Sequence, residues 1–146
     1  MAKNGKLAAI VGSKNVLDSP KVLEEYSKDL SFAPQVRPKC VVRPGSSEEV
    51  QEVVKWANET RTPLVPISSG PPHFRGDTIP SVGGTVVVDL SRMKKIMRID
   101  TKNRVAMVEP GVTFTELQPE LEKAGMSAYM PLSPRSSKSV IGSMLE

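Results

Sequence analysis

The sequence has one cysteine, Cys40, and one histidine, His73, in 146 residues. A single thiol excludes an internal disulfide, and together with a single imidazole it leaves no ligand set for structural zinc. A lone thiol also fits a reducing compartment, so a cytoplasmic location is expected. Aromatic residues make up only 4% of the chain, which leaves Val, Ile, Leu, Met and Ala to build the core and favours a layered arrangement of helices and strands. Long apolar runs are absent too. Lys3 and Lys6 precede only Leu7 to Val11, shorter than the roughly 7–15 residues of a signal-peptide core and far short of a membrane span. No internal repeat and no low-complexity tract is present.

What is present is a modest excess of positive charge. The formal net charge is +4 and the isoelectric point about 9.3, with Arg92, Lys94, Lys95 and Arg98 as the densest basic cluster. No aromatic side chains interleave with these cations and no recognition motif follows them, so the cluster reads as a solvated face or a subunit contact rather than a nucleic-acid surface. The length suits one ordinary domain and is small for a complete cofactor enzyme.

The elements come in a legible order. Lys21 to Lys28 is expected to be a short helix, started by Ser19-Pro20. Cys40 to Arg43 is an apolar strand ended by Pro44-Gly45, and Ser46 followed three residues later by Glu49 has the spacing of a capping box. In the helix that follows, Val50, Val53, Val54 and Ala57 form one apolar stripe. Leu64 to Ile67 is the next strand, and strand, helix and strand together make a βαβ unit with parallel strands. Thr85 to Leu90 reads as a strand covered on both faces. Lys95 to Asp100 and Arg104 to Glu109 flank the polar turn Thr101-Lys102-Asn103 as a hairpin. Thr113 and Glu116 repeat the capping-box spacing ahead of Leu117, Leu121 and Ala124, Pro119 interrupts that helix with a kink or a tight turn, and Gly125 closes it. The strands at 64–67, 85–89 and 104–109 are expected in one small sheet.

The stretch from Pro66 to Asp77 follows the carboxyl end of a strand, where open α/β sheets bind ligands. A diphosphate is held by backbone N–H groups gathered into a concavity, by small hydroxyls and by a cation. Ser68, Ser69, Gly70, Arg75 and Gly76 offer such groups. Pro71 and Pro72 do not, since each lacks a donor, and a loop merely stiffened by proline is the alternative reading. No two charged residues are tied by a motif into a general acid–base pair.

Six stretches in order, "YSKDLS", "VVRPGSSEEVQEVVKWANE", "TPLVPISSG", "VVVDLSRMKKIMRID", "VAMVEPGVTFTELQPELEKAG" and "PLSPRSSKSVIGS", carry a resemblance. From about Val16 onward the chain resembles the N-terminal part of the FAD-linked oxidases, the group with the vanillyl-alcohol oxidase (PCMH) type of FAD domain that includes flavin subunits of glycolate oxidase and D-lactate dehydrogenase. The resemblance implies an α+β fold: the first subdomain of such a domain, a small mixed sheet with a βαβ unit and flanking helices. It further implies a helical segment over 1–35 and an FAD-binding subdomain over 36–146. The stretch from Pro66 to Gly76 then takes the place of the first pyrophosphate loop, usually Pro-Arg-Gly-x-Gly-Thr. Here Ile67 and Ser68 stand for Arg and Gly, Ser69 and Gly70 follow, and Pro71-Pro72 replace small residues. Residues from Pro131 through Ser133 to Ser143 take the place of a second flavin-contacting loop, with Ile141-Gly142-Ser143 for Ile-Gly-Gly. His73 lies where some relatives attach FAD covalently, although Pro-Pro-His-Phe lacks the Gly-Gly-His pattern of that linkage; a non-covalent polar contact and a plain exposed histidine are the other two readings.

The cofactor implied is FAD, and the function implied is the FAD-binding portion or subunit of an oxidoreductase acting on a hydroxy acid or another alcohol-like donor. The partner would be the remainder of the FAD domain and a substrate domain, or a second copy of the chain, with no catalytic residue in this stretch and no activity expected from it alone. A non-catalytic assembly module that has lost flavin binding is the alternative. Two structural expectations follow: the loops at 66–77 and 131–143 converge, and an apolar face centred on Val140 to Leu145 is exposed.

Overall fold

The computed structural model describes residues 4–70, 73, 76–128 and 136–145. The chain begins with helix α1 (Gly5–Val11), a 3-10 turn at Ser13–Asn15, strand β1 (Val16–Leu17) and helix α2 (Pro20–Glu25). The βαβ unit follows as β2 (Cys40–Val42), α3 (Ser47–Thr60) and β3 (Leu64–Ile67), and then strand β4 (Val86–Asp89). Hairpin strands β5 (Ile96–Asp100) and β6 (Val105–Val108), helix α4 (Phe114–Lys123) and helix α5 (Val140–Leu145) complete it.

The main sheet has the order β1-β2-β4-β3. β4 pairs in parallel with β2 on one side and with β3 on the other, so the two strands of the βαβ unit are parallel but separated by β4. All four residues of β4 and all three of β2 are buried, as expected of strands covered on both faces. β3 is an edge strand, which is why it tolerates Pro66: the missing N–H would have faced away from the sheet. β1 pairs antiparallel with β2, and Leu7 and Val11 of α1 are buried in one cluster with Cys40, Val42, Val53, Trp56, Val86 and Val88. Residues before 36 thus supply an edge strand and part of the core as well as helices.

Several expectations are corrected. α2 stops at Glu25, because both the amide and the hydroxyl of Ser27 turn back to the Glu24 carbonyl, and Ser19 makes no side-chain capping bond. The buried face of α3 is Val53, Trp56 and Ala57, while Val54 is 43% exposed; α1 and the sheet together choose a face that includes the tryptophan. Ser46 caps α3 by accepting the Glu49 amide at 3.2 Å, but the Glu49 carboxylate takes the Gly45 amide at 2.7 Å rather than that of Ser46. The reciprocal capping box at Thr113 and Glu116 forms in full. α4 runs through Pro119 without a break.

The hairpin does not join the main sheet. β5 and β6 form their own two-stranded sheet, because Ile96, Ile99, Ala106 and Val108 pack on a second core of Val112, Phe114, Leu117, Leu121 and Val140 supplied mainly by α4. Val140 is therefore buried rather than part of an open face. Among the described side chains of this layer the exposed apolar ones are Met97, Val105 and Met107 on the hairpin and Ile141 of the expected face, while the side chains of Met144 and Leu145 lie outside the described residues.

Candidate functional site

The parallel register of β2, β4 and β3 brings their carboxyl ends to one edge, with Ile67 opposite Asp89 and Val42 opposite Val88. The chain leaves β3 there as Ser68, Ser69 and Gly70. Leu90 donates its amide to the Ile67 carbonyl at 2.8 Å, extending the pairing past the strand end.

The second segment arrives through a chain of backbone contacts. Gly111 donates to the Met93 carbonyl at 2.8 Å and lies so close to the turn after β4 that a Cβ would come within 2.6 Å of the Leu90 carbonyl oxygen and 2.7 Å of that of Met93. Residues 136–140 then run along 112–115: Thr113 and Ser139 form an antiparallel bridge, Val140 donates to Val112 at 2.9 Å, and Thr115 donates to Ser136 at 2.9 Å. The buried Ser139 hydroxyl donates to the Pro110 carbonyl at 2.7 Å. Gly142 is thereby set beside Ser68, where a Cβ on Gly142 would lie 2.8 Å from Ser68 Oγ. Lys138 Nζ donates to the Gly70 carbonyl at 2.8 Å. The two segments that the sequence separates by some seventy positions meet at the strand ends.

Among the residues expected at the site, Ile67, Ser68, Ser69, Gly70, His73, Gly76, Ile141, Gly142 and Ser143 are described. Pro71, Arg75, Pro131 and Ser133 lie outside the described residues. Pro66 sits one residue back, on the edge strand. Two amides are already engaged within the protein: Gly76 donates to Asp29 Oδ2 at 2.6 Å, and Gly142 donates to Ser139 Oγ at 3.1 Å. These two glycines give shape rather than donors. Gly76 has φ +76°, and a Cβ there would meet Ala33 Cβ at 2.8 Å.

Three features of this edge were not picked out from the sequence. Lys138 supplies a cation at the junction; its only signal was a lysine among serines in "SSKS". Asp89, 2% exposed, ends β4 and accepts from the Tyr26 hydroxyl at 2.8 Å and the Ser91 amide at 2.9 Å, with Arg43 Nε at 3.5 Å. Burial, and then the Asp89 charge, push the Tyr26 hydroxyl pKa far up, so it remains a donor. Asp29 holds the loop at Gly76. Desolvation works against its charge, but the bonds from Ser31 and Gly76 outweigh it and hold the carboxyl below its usual range.

His73 is half-buried, not plainly exposed, and its Nε2 has no hydrogen-bond partner among the described residues. Burial, reinforced by the charge of Lys138, lowers its pKa below 6.5, against the opposite pull of Asp77, Asp29 and Asp89. A base with a depressed folded pKa binds its proton more readily when unfolded, so stability is intact above about pH 6.5 and falls as the pH drops toward the folded value. Thermal melts between pH 7.5 and 5.5 should show a loss in the wild type that His73→Gln lacks; parallel curves for the two proteins would contradict this assignment.

Other candidates are answered by their surroundings. Three of the four basic residues noted above face carboxylates of the same chain: Arg92 with Glu49, Lys94 with Glu116, and Arg98 with Asp100. Cys40 is buried, and desolvation pushes its thiol up to about 11, so it is a core residue and not a nucleophile. No group of three or more potential metal ligands occurs among the described residues. No helix among them is long and apolar enough to cross a membrane.

Parallel strands whose carboxyl ends carry a serine-glycine loop, backed by a separate hairpin-and-helix layer, make this an α+β subdomain of the cofactor-binding class. The family model described as "FAD binding domain" matches residues 38–146. The 4-cresol dehydrogenase [hydroxylating] flavoprotein subunit of Pseudomonas putida is 33% identical over 134 residues, 90% of this chain and 26% of that protein. Glycolate oxidase subunit GlcD of Bacillus subtilis (strain 168) is 33% identical over 138 residues, 94% of this chain and 28% of that protein. The crystal structure of p-cresol methylhydroxylase with substrate bound superposes with a TM-score of 0.83 at 31% identity, covering 97% of this chain and 28% of that one. The chain belongs to the FAD-binding domain family, of the PCMH type, and FAD is its cofactor. It spans about a quarter of the length of the relatives it matches.

Proposed function

We propose that this chain is the pyrophosphate-binding part of a flavin-dependent oxidoreductase, and that Ser68 to Gly70, together with Lys138 and Gly142, form the surface that meets the FAD diphosphate. The observation that carries this reading is the approach of Gly142 to Ser68, which leaves a cradle that a single Cβ would fill. Small hydroxyls, a lysine and close backbone are the donor set that a diphosphate requires. The buried Nε2 of His73, which has no hydrogen-bond partner among the described residues, is a further polar atom that a cofactor contact would satisfy. Pro71 and Arg75 belong to the same loop by sequence, as do Pro131 and Ser133 of the second.

When bound, FAD supplies a two-electron acceptor for the substrate. The chain's own part is to hold and orient the nucleotide. The rest of the flavin site, the substrate domain and the catalytic groups belong to polypeptide corresponding to the remaining length of the relatives, as a continuation or a separate subunit. Names such as glycolate oxidase and 4-cresol dehydrogenase support a hydroxy acid or other alcohol-like donor as the substrate class. The buried, reduced Cys40 is compatible with a cytoplasmic setting.

A half-site leaves the isoalloxazine ring without the apolar enclosure on which tight binding depends. The purified chain is therefore expected to carry no stoichiometric flavin, to bind FAD and ADP with similar weak affinity, and to ignore riboflavin. A full equivalent of flavin on a monomer would overturn the half-site. Failure of both FAD and ADP to bind would favour the second reading, an assembly module that has lost its cofactor, for which the engaged amides of Gly76 and Gly142 are the specific support.

A further inference from the structure

Residues 27–36 form a loop closed on itself, since the Val36 amide donates to the Ser27 carbonyl at 3.2 Å. Its root is fixed to the sheet by the Tyr26 hydroxyl on the buried carboxylate of Asp89. Its interior is ordered by two short-range bonds, Ser31 N to Asp29 Oδ1 at 2.8 Å and Ala33 N to Ser31 Oγ at 3.1 Å. From this braced position it grips the loop after β3 at two points. Asp29 Oδ2 accepts the Gly76 amide at 2.6 Å, and the Leu30 amide donates to the His73 carbonyl at 2.9 Å. The fit is close: any side chain at Gly76 would strike Ala33 and Ser31, and its φ of +76° favours glycine in its own right.

We propose that the 27–36 loop is a clip that fixes His73 and Gly76 of the cofactor loop in their binding positions before the nucleotide arrives, with Asp29 as the positioning residue. This rests on the diphosphate reading above. Both Asp29 oxygens are used, one to brace the clip and one to hold Gly76, so a single side chain couples the two loops. Asp29 does not reach the nucleotide; it acts by removing the ordering cost that a free loop would impose on binding.

The test compares wild type, Asp29→Ala and Asp29→Asn, each well below its melting temperature, by ADP titration and by amide hydrogen exchange. The alanine variant keeps no acceptor and is expected to weaken ADP binding about ten-fold, the scale of a charge-assisted hydrogen bond. The asparagine variant keeps one acceptor oxygen and should fall between. Protection of the Leu30 amide, which bonds His73 rather than the Asp29 carboxylate, taken relative to the intrinsic rate that the residue at 29 sets for it, should fall in the alanine variant while Val87 and Val88 in the buried strand keep theirs. Unchanged ADP affinity in a folded Asp29→Ala, or faster exchange spread through β4, would overturn the clip and leave Asp29 a plain stabilising residue. A wild type that takes no ADP would instead overturn the diphosphate reading, and the clip's purpose with it; in that case Leu30 exchange still reports whether Asp29 holds the loop.

Discussion

Gly111→Ala is expected to lower the stability of the chain by about 3 kcal/mol, enough to move the melting temperature by roughly 10 °C in a domain of this size. The reason is steric. The added methyl would sit 2.6 Å from the Leu90 carbonyl oxygen, 2.7 Å from that of Met93 and 3.0 Å from the Ser91 carbonyl carbon. All three are backbone atoms, so no rotamer change can relieve the overlap. The turn that follows β4 and the segment from Pro110 to Thr113 must separate, and with them the two layers whose contact sets Gly142 against Ser68. Gly83→Ala is the matched control, because nothing lies within 4 Å of its Cβ position. Differential scanning calorimetry on both variants checks the result. A shift at Gly111 no larger than that at Gly83 would show that the interlayer contact is looser than described.

Gly142→Ala is expected to do the opposite to folding and binding. Its Cβ meets a hydroxyl, Ser68 Oγ at 2.8 Å, and a serine hydroxyl can turn away at little cost. Gly142 lies within α5, where alanine is favoured over glycine by up to about 1 kcal/mol. The melting temperature should hold or rise. Nucleotide affinity should nevertheless fall about ten-fold, because the methyl fills the cradle and the displaced hydroxyl no longer faces the diphosphate. A double-mutant cycle isolates the coupling: on a Ser68→Ala background the same change at 142 should cost much less. Equal costs on both backgrounds would separate Gly142 from Ser68 and remove the cradle.

The elements with strong local signals could be read from the sequence alone. Ser46 and Thr113 with their glutamates mark the starts of α3 and α4, and the apolar run before Asp89 gives the central strand. The meeting of the two loops followed from family resemblance and not from any local pattern. What was illegible depends on distant partners. Trp56 rather than Val54 is buried because α1 covers that side of α3, and nothing within the helix announces α1. The hairpin left the main sheet because α4 covers its apolar residues, a choice its weak alternation could not express. Asp29, Asp89 and Lys138 carry no motif of their own; each takes its role from a residue more than forty positions away.

The central claim, that Ser68 to Gly70 and Lys138 to Gly142 form one diphosphate surface, is tested most directly by backbone amide NMR of the chain titrated with ADP, FAD and riboflavin. The account predicts that ADP and FAD shift the same amides, those of Ser68, Ser69, Gly70 and Gly142, with Lys138 and Ser139 following, while riboflavin leaves them in place. Shifts confined to one of the two segments, or centred on the hairpin at Val105 and Met107, or produced equally by riboflavin, would contradict it.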